Sequence, residues 1–250
     1  MTKQEIKTKL DQLWSQDFMS KLPEWVKERG YLLISNFRQA DLLITGINPS
    51  FRDGSDTMGS CFLETKKCID KEEWKKRANG RYWDNYWGPI RKMLEEGNVN
   101  LIDKFDYLDI FHFREQDQKK LSKEILKNNA DAGLRFIAEE LKITQHIIED
   151  IIKPKLIVVK NAESWAYWGK LPEFVWMGYE FEIVKKYDCG ELCKIKGLKD
   201  TKERIATEFT NENTCMKGKY VLFAKHINQF TKREERPTAQ LLDNILKGMI

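Results

Sequence analysis

The segment from Asp41 to Phe51 is the sequence feature that most constrains the fold of this chain. It reads DLLITGINPSF, so an apolar run ends at Gly46 and is followed at once by Asn48 and Pro49. A short apolar run bounded by turn residues predicts a buried strand that leads into a loop. Because ligands bind outside the carboxyl ends of the strands in open α/β sheets, the sequence predicts a functional site at this strand end.

Further apolar runs predict more strands, and segments with helical spacing separate them. We expect strands at 105–113, 155–159 and 220–224, and a hairpin near 181–195. We expect helices at 3–16, 82–96, 161–169 and 237–246, and two helices joined near Asn128-Asn129 within 121–152. Residues 50–80 predict a long polar loop that contains a short helix at 70–78. Alternating strands and helices predict a mostly parallel sheet with helices on both faces. The expected fold is one three-layer α/β/α domain over residues 1–250, with a central four-stranded sheet, the extra hairpin, and residues 1–38 packed on it as a helical extension.

Composition and charge narrow the functional classes. No apolar run approaches the ~20 residues that span a bilayer, and the first residues lack a secretory signal, so we expect a cytoplasmic protein with no membrane partner. The net charge of +4 permits a basic patch for nucleic acid but does not require one. Cys189 and Cys193 have no second close pair beside them, which favours reduced thiols over a metal centre. We expect neither a metal nor a cofactor.

Four segments of the chain occur in the order found in the uracil-DNA glycosylase superfamily, which the sequence resembles. Gly46 to Ser50 reads GINPS, similar to the GINPG turn of the mismatch-specific uracil/thymine branch. The later segments are Asn85-Tyr86-Trp87, Pro154 to Asn161, and YVLFAKHINQF, which contains His226. The resemblance spans about residues 40–235 and implies a divergent member with the glycosylase fold.

The resemblance implies a site that extrudes a base from DNA and hydrolyses its N-glycosidic bond. Asn48 matches the residue that positions the attacking water, and His226 matches the donor to the departing base. The residues implied in base binding are Gly46, Ile47, Phe62 and Asp109, with Phe62 stacking on the base. The residues implied in binding DNA phosphates are Ser50, Asn161, Ser164, Lys225 and Arg233.

Two positions depart from the family pattern. Ile227-Asn228 stands where Pro-Ser is usual, which affects the loop that would fill the place of the extruded base. Asp109 stands near the position of the asparagine that reads the base in uracil-specific members. Because an ionised carboxylate only accepts hydrogen bonds, the preferred base is expected to offer an exocyclic amine or a ring N–H rather than to be plain uracil.

Structural roles are open for the same residues. Asn48 can stabilise its own turn, Phe62 can belong to the core, and Asp109 can bond a nearby loop or Arg114. At the level of function, the alternative is a non-catalytic nucleotide- or nucleic-acid-binding module with the glycosylase fold. An unrelated enzyme of the flavodoxin-like type is disfavoured because the chain has no dinucleotide fingerprint, P-loop or nucleophile elbow. The expected partner is single- or double-stranded DNA.

Overall fold

The computed structural model describes residues 1–52, 54, 56–76, 83–127, 130–225, 227 and 230–249. The strands are β1 (Leu32–Ile34), β2 (Leu42–Gly46), β3 (Cys61–Leu63), β4 (Glu95–Glu96), β5 (Val99–Asn100), β6 (Phe105–Asp109), β7 (Leu156–Val159), β8 (Tyr179–Tyr187), β9 (Gly190–Leu198) and β10 (Tyr220–Ala224). The α-helices are α1 (Lys3–Trp14), α2 (Glu24–Arg29), α3 (Thr65–Ile69), α4 (Lys71–Lys75), α5 (Gly88–Leu94), α6 (Gln118–Lys120), α7 (Ala130–His146), α8 (Trp165–Trp168) and α9 (Ala239–Leu246). Helical turns of the π type cover Trp83–Trp87, Leu121–Lys127 and Ile147–Ile152, and 3-10 turns cover Asp17–Lys21, Ile102–Lys104, Ala162–Ser164 and Arg233–Glu235.

The central sheet has six strands, in the order β6-β2-β7-β10-β9-β8. The first four are parallel neighbours, and the last two are antiparallel. The predicted α/β class and the predicted hairpin are therefore confirmed, but the prediction of four strands is wrong. The hairpin extends the same sheet because the edge of β10 carries backbone groups that need hydrogen-bond partners, and β9 supplies them.

Both faces of the sheet are buried, which explains the continuous apolar runs of its strands. Leu43 and Ile157 point into a core that also contains Phe136 of α7. Their sequence neighbours Leu42 and Leu156 point into a second core, which also contains residues of α5 and α9. This alternation follows from the two-residue period of a strand, and it confirms helices on both faces.

The segment 50–80 contains more regular structure than predicted, because β3 and α3 lie within it, whereas α4 falls inside the short helix expected at 70–78. β3 pairs in parallel with β1. The carboxylate of Asp106 in β6 accepts hydrogen bonds from the hydroxyls of Ser35 and Thr65, at 2.7 and 2.5 Å. This shared acceptor holds the small β1–β3 sheet against the central one.

The ring of Trp14 at the end of α1 makes an edge contact with Phe136 of α7, at 5.4 Å between centroids. The segment 1–38 is not helical throughout, since it contains β1. The predicted strand 105–113 is shorter in the structure and ends at Asp109. Beyond the ends of both strands, the segments after β6 and β2 remain hydrogen-bonded to each other, since the Phe111 N–H donates to the Ile47 carbonyl at 2.8 Å. Within the described ranges, no helix is long and apolar enough to cross a membrane.

Candidate active site

The carboxyl ends of β6, β2, β7 and β10 lie side by side at one edge of the sheet. In the strand register, Gly46 pairs with Asp109, Thr45 pairs with Val159, and Val159 pairs with Phe223. Asn48, Asp109, Asn161 and Lys225 therefore all lie at or just beyond the same edge. His226, which follows Lys225, lies outside the described residues, so its role stays a prediction.

A buried carboxylate and two phenols pack directly over Gly46. Asp109 is 3% exposed, and its Oδ1 accepts a hydrogen bond from the Tyr107 hydroxyl at 2.5 Å. The Tyr107 hydroxyl also hydrogen-bonds to the hydroxyl of Tyr86. A Cβ on Gly46 would overlap Asp109 Oδ1 and Tyr107 Oη, so only glycine fits beneath this carboxylate–phenol cluster of Asp109, Tyr107 and Tyr86.

Burial sets the protonation of the carboxylate–phenol cluster. It raises the pKa of Asp109 to about 6, against the opposing effects of the Tyr107 hydrogen bond and of the charges of Lys160 and His112. Burial, together with the charge of Asp109, also raises the pKa values of Tyr107 and Tyr86 well above the ordinary tyrosine value. Near neutral pH, the carboxyl group can therefore gain and lose a proton while both phenols keep theirs.

Lys160 follows β7 directly and brings an amine to the cluster. Its side chain is buried, and its Nζ lies 4.2 Å from the centroid of the Tyr86 ring, a cation–π contact. Burial lowers the pKa of Lys160 to about 8, although the charge of Asp109 acts to raise it. Sequence reasoning missed this residue. The available signal was a lysine placed immediately after a buried apolar strand.

The Asn48 side chain joins the loop after β2 to the loop after β6. It is buried, and its Nδ2 donates to the carbonyls of Glu115 and Pro49 at 2.7 and 3.1 Å. Its Oδ1 accepts a hydrogen bond from Gln118 Nε2 at 2.6 Å. These contacts favour a structural role for Asn48, because its hydrogen-bonding groups are engaged by protein atoms.

A pair of arginines strengthens the same connection between loops. The ring of Phe51 contacts the guanidinium groups of Arg29 and Arg114, whose central carbons lie 4.6 and 4.7 Å from its centroid. Arg29 Nη1 forms a buried ion pair with Glu115 Oε2 at 2.6 Å, and Arg114 Nη1 donates to the Thr57 carbonyl at 2.7 Å. We call this group, together with Asn48 and Gln118, the loop clamp. Among the residues that the structure describes, Asp109 is bonded to Tyr107 and not to Arg114.

The other residues predicted to bind the base, Phe62, Ile47 and Gly46, pack against protein atoms and do not line an open cavity. The half-buried ring of Phe62 packs against Tyr31 and Phe37, with centroids 5.7 and 5.5 Å away, which favours the core alternative. Ile47 is buried and its carbonyl takes part in pairing with the segment after β6. The space over Gly46 is filled by Asp109 and Tyr107 rather than open to a ligand.

The residues predicted to bind phosphate fall into two groups. Asn161 caps the turn that follows it by accepting from the Glu163 N–H, and the Ser164 hydroxyl donates to the Asn161 carbonyl, so both side chains serve the local turn. Ser50 and Lys225 are exposed, and Arg233 is exposed and paired with Glu96.

A cleft of about 380 Å³ lies between α5 and the last loop. Its lining includes Trp83, Arg91, Glu95 and Arg236, and Arg91 forms an ion pair with Glu95 at 3.0 Å. Because its lining contains both acidic and basic groups, the cleft does not present the uniform positive field that favours a phosphate backbone. Trp83 and Tyr86 share one π-helical turn, which connects the cleft to the carboxylate–phenol cluster.

Comparison of the sequence with protein-family models and with curated proteins finds no match. The glycosylase resemblance therefore stays a prediction.

Proposed function

We propose that the protein hydrolyses the N-glycosidic bond of a deaminated or damaged base in DNA, at the carboxyl edge of β6, β2 and β7. The observation that carries the proposal is the buried Asp109, placed opposite Gly46 of the GINPS segment. A carboxyl group with a pKa of about 6 can act as a general base near neutral pH. Titratable groups with strongly shifted pKa values at such an edge are typical of catalytic sites.

Hydrolysis at this edge needs a base to accept a proton from water and a donor to stabilise the leaving group. The oxygen of water forms a bond to the sugar C1′, the bond from C1′ to the base nitrogen breaks, and Asp109 takes the water proton. The departing base carries negative charge, which the protonated Tyr86 hydroxyl can stabilise by donating a hydrogen bond. The loop clamp, including Asn48, fixes the loops that border this space.

The base can reach Asp109 only if the carboxylate–phenol cluster opens, because the cluster fills the space over Gly46. Tyr86 is the exposed member of the cluster, and we propose that it moves. Tyr86 is suited to this movement because 37% of its surface is exposed. The same filling favours the second candidate, a non-catalytic nucleotide- or nucleic-acid-binding module that uses the outer surface of this edge.

A gel assay for abasic-site formation separates the two functions. Oligonucleotides that carry uracil, hypoxanthine, xanthine or mismatched thymine are incubated with the wild type and with Asp109→Asn. We expect cleavage of at least one substrate and a loss on the order of 10²-fold in the variant, the usual effect of removing a general base. The matched control is Asp103→Asn, because Asp103 is exposed and precedes the same strand.

Each remaining outcome has a meaning. Salt-sensitive binding without cleavage supports the binding module, since displaced counterions make phosphate contacts depend on salt. If the protein neither cleaves nor binds any of these oligonucleotides, both candidate functions are contradicted. Cleavage that Asp109→Asn leaves unchanged keeps the enzyme but removes Asp109 from its mechanism.

A further inference from the structure

Lys160 is a buried amine that the proposed hydrolysis does not use. It is 5% exposed, and no ion pair of its side chain occurs within the described part of the chain. Buried lysines usually have a carboxylate partner. Here, the ammonium lies over the face of the Tyr86 ring, 4.2 Å from its centroid.

An amine in this setting is suited to nucleophilic chemistry. Burial favours the neutral form of a lysine, and the neutral amine is the nucleophile. The lowered pKa of Lys160, about 8, means that a substantial fraction is neutral near physiological pH. An exposed lysine of ordinary pKa, by contrast, is almost entirely charged there.

The position of Lys160 places its amine beside the proposed reaction. Thr45 pairs with Val159, and Gly46 pairs with Asp109, so Lys160 and Asp109 flank the end of β2 from its two neighbouring strands. Tyr86 and Tyr107 link the two side chains, since Lys160 Nζ lies over the Tyr86 ring, the Tyr86 hydroxyl bonds to that of Tyr107, and Tyr107 donates to Asp109. A sugar whose C1′ lies near Asp109 would therefore present the same carbon to Lys160.

We propose that Lys160 forms an imine with the aldehyde of an abasic deoxyribose, the product that glycosidic hydrolysis leaves in DNA. The choice of this aldehyde rests on the proposed function. Whether the Lys160 amine attaches to an aldehyde can be tested even if the protein does not hydrolyse glycosidic bonds.

The step needs no oxidant or reductant. The nitrogen lone pair of neutral Lys160 forms a bond to C1′ of the ring-opened sugar, and the electrons of the carbonyl π bond move to oxygen. One proton passes from nitrogen to that oxygen, a second comes from solvent, and the oxygen leaves as water. The product is a protonated imine, so that the amine, the aldehyde and one proton from solvent give the protonated imine and water.

Trapping with borohydride tests this proposal directly. The full-length protein is incubated with an oligonucleotide that carries a preformed abasic site, then reduced, so that any imine becomes a stable secondary amine. We expect a covalent adduct that peptide mass spectrometry locates at Lys160. Because the neutral amine reacts, the initial yield should rise by more than about tenfold between about pH 6 and about pH 9.

The matched pair of variants is Lys160→Arg and Lys155→Arg. Lys155 lies at the opposite end of the same strand, where it is exposed and paired with Asp41 at 2.9 Å. Lys160→Arg should lose adduct by on the order of tenfold or more, and Lys155→Arg should not. If Lys160→Arg fails to fold, the mapped position of the wild-type adduct decides the question.

The results distinguish this proposal from the proposed function. Adduct at Lys160 without base excision by the wild type supports the reactive amine and contradicts the glycosylase. Excision without adduct, or adduct spread over exposed lysines, overturns the imine and leaves the glycosylase standing. Trapping with free 2-deoxyribose 5-phosphate in place of DNA shows whether the aldehyde alone is recognised.

Discussion

Gly46 lies beneath the carboxylate–phenol cluster, and its lack of a side chain makes room for Asp109 and Tyr107. Gly46→Ala should lower the free energy of unfolding by about 1–3 kcal/mol, the usual cost of forcing extra volume into a packed core. Urea denaturation measures the change. Gly88→Ala is the comparison, because its Cβ would make a tight contact at 3.3 Å with the Trp83 ring but no overlap, and its backbone is helical, so it should cost less than Gly46→Ala. Equal stability of Gly46→Ala and wild type would show that the cluster does not pack over this residue.

Substitution of Asn48 distinguishes a structural role for this residue from a catalytic one. Asn48→Ala removes one donated and one accepted hydrogen bond to the segment after β6, and one donated within its own turn, so it should lower the free energy of unfolding by about 2–3 kcal/mol. Ser50→Ala, at an exposed position, should change it by less than about 0.5 kcal/mol. Urea denaturation compares the two. Undiminished stability together with lost excision would instead assign the water-positioning role to Asn48.

The sequence indicated which residues follow the strand ends, but not what they touch. Asn48 and Asp109 were identifiable because each follows a short apolar run. The partners of Asn48 on the other loop were not, since Glu115 and Gln118 lie 67 and 70 residues away. Lys160 passed unnoticed because a single lysine after a strand is usually solvated, and only its contact with Tyr86 shows otherwise.

At the scale of elements, Glu149 fastens residues 199–218 to the body of the protein. Its buried carboxylate accepts hydrogen bonds from the hydroxyls of Tyr179 and Thr214, both at 2.8 Å, and from the Cys215 N–H at 2.9 Å. Three donors on two separate segments therefore depend on one side chain.

Glu149→Ala should release this segment from the π-helical turn Ile147–Ile152. Losing the shared acceptor leaves buried donors unpaired, which favours local opening by about 1–3 kcal/mol. Trypsin should then cut at Lys217 and its neighbours on the order of tenfold faster than in the wild type. Glu173→Ala, at an exposed site outside the segment, should leave the digestion rate unchanged. Equal rates for both variants would mean that other contacts hold the segment.

Elements with a buried apolar run were predictable, and short elements were not. The strands at 42–46, 156–159 and 220–224 lie in the interior of the sheet, where apolar side chains occupy both faces. β1 and β3 have three residues each, and their pairing depends on the distant Asp106, so no local pattern predicts them. The hairpin was predictable from its turn at 188–190, but its pairing with β10 depends on tertiary contacts that the local sequence does not indicate.

At the scale of the whole molecule, the parallel direction of four adjacent strands determines where chemistry can collect. Strands that are separated by tens of residues bring Gly46, Asp109 and Lys160 to one edge. The class of fold followed from the alternation of elements, because parallel strands require crossover connections. The filled space over Gly46 did not follow, because side-chain packing depends on contacts between distant segments.

The central claim is that Asp109 acts as the general base at this edge. Below about pH 6 the carboxyl group holds its proton and cannot accept another, and above that pH it is ionised. The single-turnover rate of abasic-site formation, measured from about pH 4.5 to about pH 8, should therefore rise and level off with a midpoint near pH 6. In Asp109→Asn the rate should be low and should lack that rise. A wild-type profile without a rise near pH 6, or the same rise in Asp109→Asn, would contradict the claim.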